Sequence, residues 1–345
     1  MTAAAGTIDL RSDLCAVPTD EMWDAMRGAR LGWASVGEDA SVNELERRVA
    51  GLLGKEAAVW VPTCGMANLA ALLALAERGR AVVLEATAHI LTSEGMWLTE
   101  VAGLGPRSLW APDGRLDPVA VEAAIREEHA AVLCLENTHT RAGGTVLGQE
   151  LTAALAGTAH RHGARVHLDG ARLANAAVAL GVTMAELASP VDTVALSLNK
   201  GLCAPMGTVL AGSEAVVADV RLHLRRLGGG TVHKAGIAAA AGLVALDTTV
   251  DRLADDHRRA RELAALLAAI PGLKLDPDTT ETNIVLVDVT ATGLTVEEVL
   301  GRLSERGVLA MERDTSRIRF VTHRLIGDDE VAEAAATIAE VVAAL

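Results

Sequence analysis

The chain has 345 residues, half of them hydrophobic, and carries a formal net charge of −14. This length exceeds what one hydrophobic core comfortably holds and predicts a large domain together with a smaller one. The negative charge argues against nucleic-acid binding, because phosphate neutralisation requires clustered lysine and arginine.

The chain opens without a charged segment that leads into a long apolar run, and no uncharged apolar run of about 18 residues occurs. We therefore expect neither export nor membrane attachment. The four cysteines are scattered and lack metal-ligand spacing, so we expect no bound metal, and reduced thiols in a cytoplasmic protein. Because there is no tyrosine and only one phenylalanine, histidine and tryptophan are the candidates for stacking on an aromatic ring.

Short apolar runs alternate with amphipathic stretches between about residues 56 and 240. The runs predict buried strands at 56–62, 81–85, 130–135, 165–168, 193–198 and 208–211. Helices are predicted between them, for example at 117–127 and 149–162. This alternation predicts an α/β fold with a mostly parallel sheet and helices on both faces. Ligands of such sheets bind at the carboxyl ends of the strands.

The pattern changes after about residue 245. The later segments predict a helix at 250–269, a strand at 283–289, a helix at 296–306, a hairpin-like segment to 322 and a terminal helix from 328. We therefore predict a large domain of residues 1–245, which includes the N-terminal segment, and a small C-terminal α+β domain of residues 246–345.

Two charged residues follow neighbouring predicted strands. Asp169 lies in His167–Arg172 and Lys200 lies in Ser197–Gly201, each at the end of an apolar run. An acid can keep a pyridinium nitrogen protonated and a lysine can form a Schiff base, so the pair suits a pyridoxal-phosphate enzyme. Taken alone, the pair is equally well explained as two surface charges beside buried strands.

Two further segments carry candidate ligands at strand ends. The small-residue turn Pro62–Asn68 opens a helix, whose exposed amides favour a phosphate, although such turns often serve packing alone. His89, with Glu94 five residues later, can stack on a heteroaromatic ring or act in proton transfer. The alternative for a single histidine of this kind is a capping or solvent-facing role.

Together these segments resemble the threonine aldolase family, which are pyridoxal-phosphate enzymes of the aspartate aminotransferase fold (fold type I). The matching blocks occur in order along nearly the whole chain. They are Asp9–Asp13, Val36–Asp39, Val42–Glu46, Leu135–His139, Gly143–Gly144, His167–Arg172, Asn199–Pro205, Gly228–Gly230, Glu281–Ile284 and Arg319–His323. The resemblance implies a large domain with a mostly parallel seven-stranded sheet.

The resemblance also implies a role for each matching residue. Lys200 would carry pyridoxal 5′-phosphate covalently, Asp169 would pair with its pyridine nitrogen and His89 would stack on its ring. The amides of Cys64, Gly65 and Met66 would bind the phosphate.

On the substrate side, Arg172 would lie between the cofactor phenolate and the substrate carboxylate. Ser12 and Arg319 would bind that carboxylate, which agrees with the preference of carboxylates for arginine forks.

The chain departs from the family pattern at several places, among them a shortened segment between Arg126 and Leu135. Val36 stands where the family has tyrosine, and Cys64–Gly65 replaces a Gly–Thr pair. After Gly230 the family arginine is missing and the segment is one residue longer. In the resemblance this segment reaches the cofactor phosphate of a neighbouring chain, so we predict that His233 or Lys234 takes over that role.

These observations predict a lyase that cleaves a small β-hydroxy-α-amino acid, of the L-threonine or L-allo-threonine type, to glycine and an aldehyde. Lys200, Asp169 and His89 would be its catalytic residues, with His89 or a held water as the base. Alternatives are β-elimination, racemisation or aldol transfer with the same cofactor, and a non-enzymatic homologue that binds a partner. The resemblance implies a homo-oligomer, a dimer or tetramer, with shared active sites.

Overall fold

The computed structural model describes residues 6–343. Its strands are β1 (Ile8–Asp9), β2 (Ala57–Val61), β3 (Ala81–Glu85), β4 (Gly105–Leu109), β5 (Val132–Glu136), β6 (Arg165–Gly170), β7 (Thr193–Ser197), β8 (Thr208–Gly212), β9 (Ile284–Asp288), β10 (Val308–Leu309), β11 (Met311–Glu312) and β12 (Arg317–Val321).

Its α-helices are α1 (Asp20–Arg27), α2 (Ala40–Leu52), α3 (Cys64–Leu75), α4 (His89–Thr92), α5 (Pro118–Glu128), α6 (Gln149–Arg161), α7 (Leu173–Leu180), α8 (Met184–Ala188), α9 (Glu214–Arg226), α10 (Gly236–Thr248), α11 (Leu253–Ala268), α12 (Val296–Glu305) and α13 (Asp328–Ala343). Local signals explain several of these bounds. Asp117 caps α5 ahead of Pro118, and Thr295 forms a capping box with Glu298 at the start of α12.

A seven-stranded sheet in the order β2-β8-β7-β6-β5-β3-β4 forms the centre of the larger unit. Every pairing is parallel except those of β8, which runs antiparallel to both β2 and β7. The predicted fold class and all six predicted strands of this sheet are confirmed. The seventh strand, β4, was missed because its sequence Gly-Pro-Arg-Ser-Leu is partly exposed at the sheet edge and lacks an apolar run.

Helices cover both faces of this sheet. Neighbouring residues of a strand point to opposite faces, so each face carries side chains that the helices bury. Val194 and Leu196 pack in the core beneath α2, α5, α6, α7 and α10, while Ala195 between them packs beneath α3 and α9. Six of the seven strands, all except β8, run in the same direction and present their carboxyl ends at one common edge of the sheet.

A smaller three-stranded antiparallel sheet, β11-β12-β9, packs against α11, α12 and α13. The strand β1 pairs in parallel with β10, and Ile8 and Leu10 lie in the same buried cluster as Phe320. The first strand of the chain, β1, thus contributes to the C-terminal core. The predicted boundary between the two domains, at residues 245 and 246, stays a prediction.

Within residues 6–343, no helix is both long and apolar enough to cross a membrane. All four cysteines are free thiols.

Candidate active site

Most of the predicted site residues meet at the carboxyl edge of the large sheet. Asp169 ends β6, Lys200 follows β7, Cys64 begins the helix after β2 and His89 begins the helix after β3. Arg172 follows Asp169 in the turn that leads into α7. The parallel strand order brings these residues together although they are far apart in the sequence.

The Asp169 carboxylate is buried, with 2% of the residue exposed, and three donors hold it. Its Oδ1 accepts the Ala171 amide at 3.0 Å and the Cys64 thiol at 3.8 Å. Its Oδ2 accepts the Asn68 side-chain amide at 3.0 Å. A buried carboxylate with this many donors is fixed in orientation.

Asn68 is a buried branch point that the sequence did not reveal. Its Nδ2 donates to Asp169 and, at 3.2 Å, to Glu94 Oε2, so both amide hydrogens are used. Its Oδ1 must then accept from His167 Nε2, 3.0 Å away. The His167 Nδ1 therefore accepts from the Thr193 hydroxyl at 2.9 Å, and burial lowers the pKa of His167 to about 4.

His89 lies against Glu94, whose Oε1 is 3.4 Å from His89 Nε2. The hydrogen bond to Glu94 raises the pKa of His89 above its ordinary value, and the nearby Asp169 charge acts in the same direction. The His89 backbone amide donates to Glu136 Oε2 at 2.7 Å. Both the ring and the backbone of His89 are thus positioned by carboxylates.

Behind His89 lies a second buried group of acids and one histidine. His139 Nε2 is 3.1 Å from Glu85 Oε2 and 3.9 Å from Glu136 Oε2. Burial alone would lower the pKa of His139, but these two carboxylates raise it above its ordinary value. The Glu136 Oε1 also accepts the Thr140 amide at 2.9 Å. Because its Oε2 accepts the His89 amide, Glu136 joins the loops after β3 and β5.

The N-terminus of α3 presents free backbone donors beside Asp169. Thr63 caps the helix and its hydroxyl accepts the Met66 amide at 3.2 Å. Of the three predicted phosphate-binding amides, those of Cys64 and Gly65 have no acceptor within residues 6–343. A Cβ on Gly65 would lie 2.3 Å from the Trp97 ring, so only glycine allows this ring to lie so close to the start of α3.

Lys200 is half-buried, and its side-chain amine makes no hydrogen bond or ion pair with any residue between 6 and 343. Its positive charge is close enough to act on the Asp13 carboxylate and the Cys64 thiol. The amine is thus available for chemistry near Cys64, whose thiol contacts Asp169.

Arg172 is buried and already engaged. Its Nε and Nη2 donate to both oxygens of Asp13 at 2.8 and 2.7 Å, and its Nη1 donates to the Thr140 hydroxyl at 2.8 Å. Burial opposes the charge of Asp13, but the Arg172 guanidinium holds the pKa of that carboxyl well below its usual range. Asp13 is therefore the residue that fixes Arg172 in the site.

Arg319 and Ser12 lie beside this pair. The Ser12 hydroxyl accepts the Leu14 amide at 3.3 Å, and Arg319 Nη2 donates to the Arg11 carbonyl at 3.0 Å. The Arg319 Nε is buried with no acceptor among the described residues. Burial lowers the pKa of Arg319 to about 10, and the charge of the neighbouring Arg172 acts in the same direction. An anion bound to this guanidinium would therefore stabilise its charged form.

His233 and Lys234 lie apart from this group. The His233 Nδ1 is 3.2 Å from both Trp33 Nε1 and the Ser35 hydroxyl, and Lys234 is exposed. Within residues 6–343, neither side chain bonds to another predicted site residue.

Sequence reasoning missed three residues that position the site: Asn68, Asp13 and Glu136. Asn68 falls inside the strand-end turn Pro62–Asn68, and Glu136 and Asp13 fall inside the matching blocks Leu135–His139 and Asp9–Asp13. Only the position of these three residues in the sequence pointed to the site, because a linear sequence does not show which polar groups will contact one another.

Comparison with known proteins identifies the chain as a member of a lyase family. The family model described as beta-eliminating lyase matches residues 9–290, so the chain belongs to that family. The Low-specificity L-threonine aldolase 1 of Arabidopsis thaliana is 37% identical, over 94% of this chain and 93% of that protein. The Low specificity L-threonine aldolase of Escherichia coli (strain K12) is 36% identical, over 95% and 97%. Within its family, the chain thus groups with the threonine aldolases.

A solved structure of a Leishmania major threonine aldolase has the same fold. Its TM-score is 0.82 at 20% identity, with 97% of this chain and 99% of that chain covered. At this identity the likeness supports the fold, which is the predicted fold of type I pyridoxal-phosphate enzymes.

Proposed function

We propose that this protein is a pyridoxal-phosphate-dependent lyase that cleaves L-threonine or L-allo-threonine to glycine and an aldehyde. The observation that carries the proposal is the unpartnered Lys200 amine beside a fixed, buried Asp169 carboxylate. Its family membership and its threonine aldolase relatives support the same reaction.

The residues present fit pyridoxal 5′-phosphate. A free amine, a buried acid, a half-exposed imidazole and two unpaired amides at a helix N-terminus match its aldehyde, pyridine nitrogen, ring and phosphate. When bound, the cofactor supplies an electron sink for the carbon atom that loses its substituent. Lys200 would hold it covalently, Asp169 would keep the proton on the ring nitrogen, and His89 would lie against the ring.

The substrate carboxylate would bind to Arg319, whose Nε has no acceptor within the described residues. Arg172, held by Asp13, keeps one hydrogen on each terminal nitrogen and can contribute a second donor. Ser12 lies next to Arg11, whose carbonyl Arg319 contacts. Three groups, from the start, the middle and the end of the chain, would thus orient the substrate.

Cleavage also requires removal of the β-hydroxyl proton. His89, or a water that it holds, is the proposed acceptor. Glu94 would stabilise the positive charge that the imidazole gains, because its carboxylate already lies against the ring.

The assignment of Lys200 is tested by borohydride reduction of the cofactor-loaded protein followed by peptide mapping. Pyridoxyl should appear on Lys200, and Lys200→Arg should abolish it, whereas Lys274→Arg, at an exposed lysine, should not. A label on another lysine would refute the assignment.

Product analysis tests the reaction itself. Glycine plus an aldehyde from L-threonine supports the lyase, while ammonia plus a keto acid indicates β-elimination. Change of configuration alone indicates racemisation, and a transferred aldehyde indicates aldol transfer. A protein that binds no cofactor would be the non-enzymatic homologue.

A homo-oligomer is part of the proposal. The exposed apolar side chains of Leu31, Trp33 and Val36 lie beside the His233 segment, which supports contact with a second chain there. Lys234 is the proposed cation for a neighbouring chain's cofactor phosphate, with His233 as the alternative. Light scattering should give a dimer or tetramer, and Lys234→Ala or His233→Ala should weaken cofactor binding.

We also propose a cytoplasmic location, consistent with the four free thiols.

A further inference from the structure

Arg313 carries a buried positive charge that the proposed reaction does not use. Only 10% of its side chain is exposed. The carboxylate within reach is that of Asp314, 3.9 Å from Arg313 Nη1, and Asp314 is already bound by Arg317 at 2.9 and 2.6 Å. Within residues 6–343, Arg313 therefore has no close counter-ion, and a buried cation without one is costly.

Arg313 lies on the same side of the small sheet as Arg319. Met311 pairs with Arg319 across the β11-β12 hairpin, and Arg319 Nη2 lies 3.0 Å from the Met311 sulfur. The Arg313 amide continues this pairing by donating to the Arg317 carbonyl at 2.9 Å. Because alternate residues share a face, Arg313 and Arg319 project from the same side of the small sheet.

That side lies against the turn after β5. The Arg313 Nε donates to the Arg141 carbonyl at 2.5 Å. The preceding residue, Thr140, accepts the Arg172 hydrogen bond described above. Arg141 itself has no ion pair within the described residues, and the charges of Arg141 and Arg313 both act on Arg319. The site therefore has excess positive charge on its small-sheet side.

The acids nearest this charge are already engaged. Asp13 is held by Arg172, and Glu85, whose charge reaches Arg313, is held by His139 and Thr87. One substrate α-carboxylate on Arg319 would leave Arg313 without an anion.

We propose that Arg313 binds a second anionic group, at the end of the β-substituent. The preferred substrates would then be β-hydroxy-α-amino acids whose side chain ends in a carboxylate or a phosphate. Arg141 adds positive potential from the facing turn. This inference rests on the proposed function, because it assigns the substrate class of the same site.

Binding of amino acids without a β-hydroxyl group tests the inference independently of cleavage. L-Alanine, L-aspartate and O-phospho-L-serine are titrated into the cofactor-loaded protein by calorimetry. We expect L-aspartate or phosphoserine to bind about tenfold or more tightly than L-alanine, as for a hydrogen bond between charged groups. The tighter of the two identifies the anion. Equal affinity for all three ligands overturns the inference.

Variants locate the effect. Arg313→Gln should remove the preference while L-alanine affinity stays the same, and Arg313→Lys should retain part of it. Arg306→Gln, at an exposed arginine of the same unit, should change nothing. If Arg313→Gln keeps the preference, or instead dissociates an oligomer because a neighbouring chain supplies the acid, the inference is wrong.

Cleavage assays on the same preparations separate the two proposals. If L-threonine yields glycine but anionic analogues show no advantage, only the substrate class is wrong. If no β-hydroxy amino acid yields glycine, the proposed function itself fails.

Discussion

Asn68 is the residue on which most of the buried polar groups at the sheet edge depend. It satisfies Asp169, Glu94 and His167 at once and is fully buried. Asn68→Ala would leave the His167 donor unpaired and remove a donor from each carboxylate. We expect a loss of about 3 kcal/mol in the free energy of unfolding, since each unsatisfied buried group costs roughly 1–3 kcal/mol.

Urea unfolding measures this loss, with Asn43→Ala as the control. Asn43 lies on the surface, and its side chain donates a single hydrogen bond, to the Gly37 carbonyl. The control should lose less than about 1 kcal/mol. Similar losses in the two variants would show that Asn68 is not the branch point that the distances indicate.

His167 predicts a pH dependence of stability. Burial lowers its pKa to about 4, whereas the unfolded chain binds the proton near the ordinary value of 6.5. Its contribution is therefore complete above about pH 6.5 and is lost as the pH falls towards 4. Between pH 7 and pH 5 this histidine alone should cost about 2 kcal/mol.

Comparison of wild type with His167→Gln isolates that contribution. Other histidines complicate the wild-type profile: the pKa of His257 is also lowered to about 4, while those of His89 and His139 are raised. The free energy of unfolding should therefore fall less in His167→Gln than in wild type between pH 7 and pH 5. Parallel profiles would contradict a neutral buried His167.

Sequence reasoning singled out the proposed reactive groups but not the residues that support them. Lys200 and His89 follow strands and Asp169 lies near the end of one, and such positions are visible in a linear pattern. The Asn68 contacts with Glu94 and His167 join residues from separate elements. The sequence does not state which side chains will face one another once the strands are ordered.

Among the elements, α3 has a strict steric requirement at Gly65. A methyl group on Gly65 would lie 2.3 Å from the Trp97 ring and 2.9 Å from Glu94 Oε1, whereas one on Gly51 in α2 would meet nothing within 4 Å. Gly65→Ala should therefore lose about 1–3 kcal/mol through overpacking. Gly51→Ala should gain up to about 1 kcal/mol from helix propensity.

Chemical denaturation and cofactor titration check both variants. Gly65→Ala should also weaken pyridoxal-phosphate binding, because it fills the approach to the free amides, while Gly51→Ala should leave that affinity unchanged. If both variants bind the cofactor as wild type does, the phosphate lies elsewhere.

The elements that the sequence predicted are those with a strong internal pattern. The predicted helix 296–306 corresponds to α12, and the predicted strand 283–289 corresponds to β9. The short strands β1 and β10 pair with each other across almost the whole chain, and two residues are too few to form a pattern. Their pairing depends on tertiary contacts, which local propensity does not encode.

For the whole molecule, the N-terminal segment links the C-terminal core to the site. Leu10 is fully buried in that core, and its carbonyl accepts the Val321 amide at 2.8 Å. Three residues later, Asp13 holds Arg172 in the larger unit. We therefore expect the two units to unfold together.

Leu10→Ala tests this coupling, because all five tryptophans lie between residues 23 and 110 and none lies in the C-terminal core. The cavity should cost about 2–5 kcal/mol, and tryptophan fluorescence and circular dichroism should report the same lowered midpoint. Leu14→Ala, at a leucine 56% exposed, should change the free energy of unfolding by less than about 0.5 kcal/mol. If only the circular dichroism midpoint falls, the C-terminal core unfolds on its own and the link through Asp13 does not couple the two units.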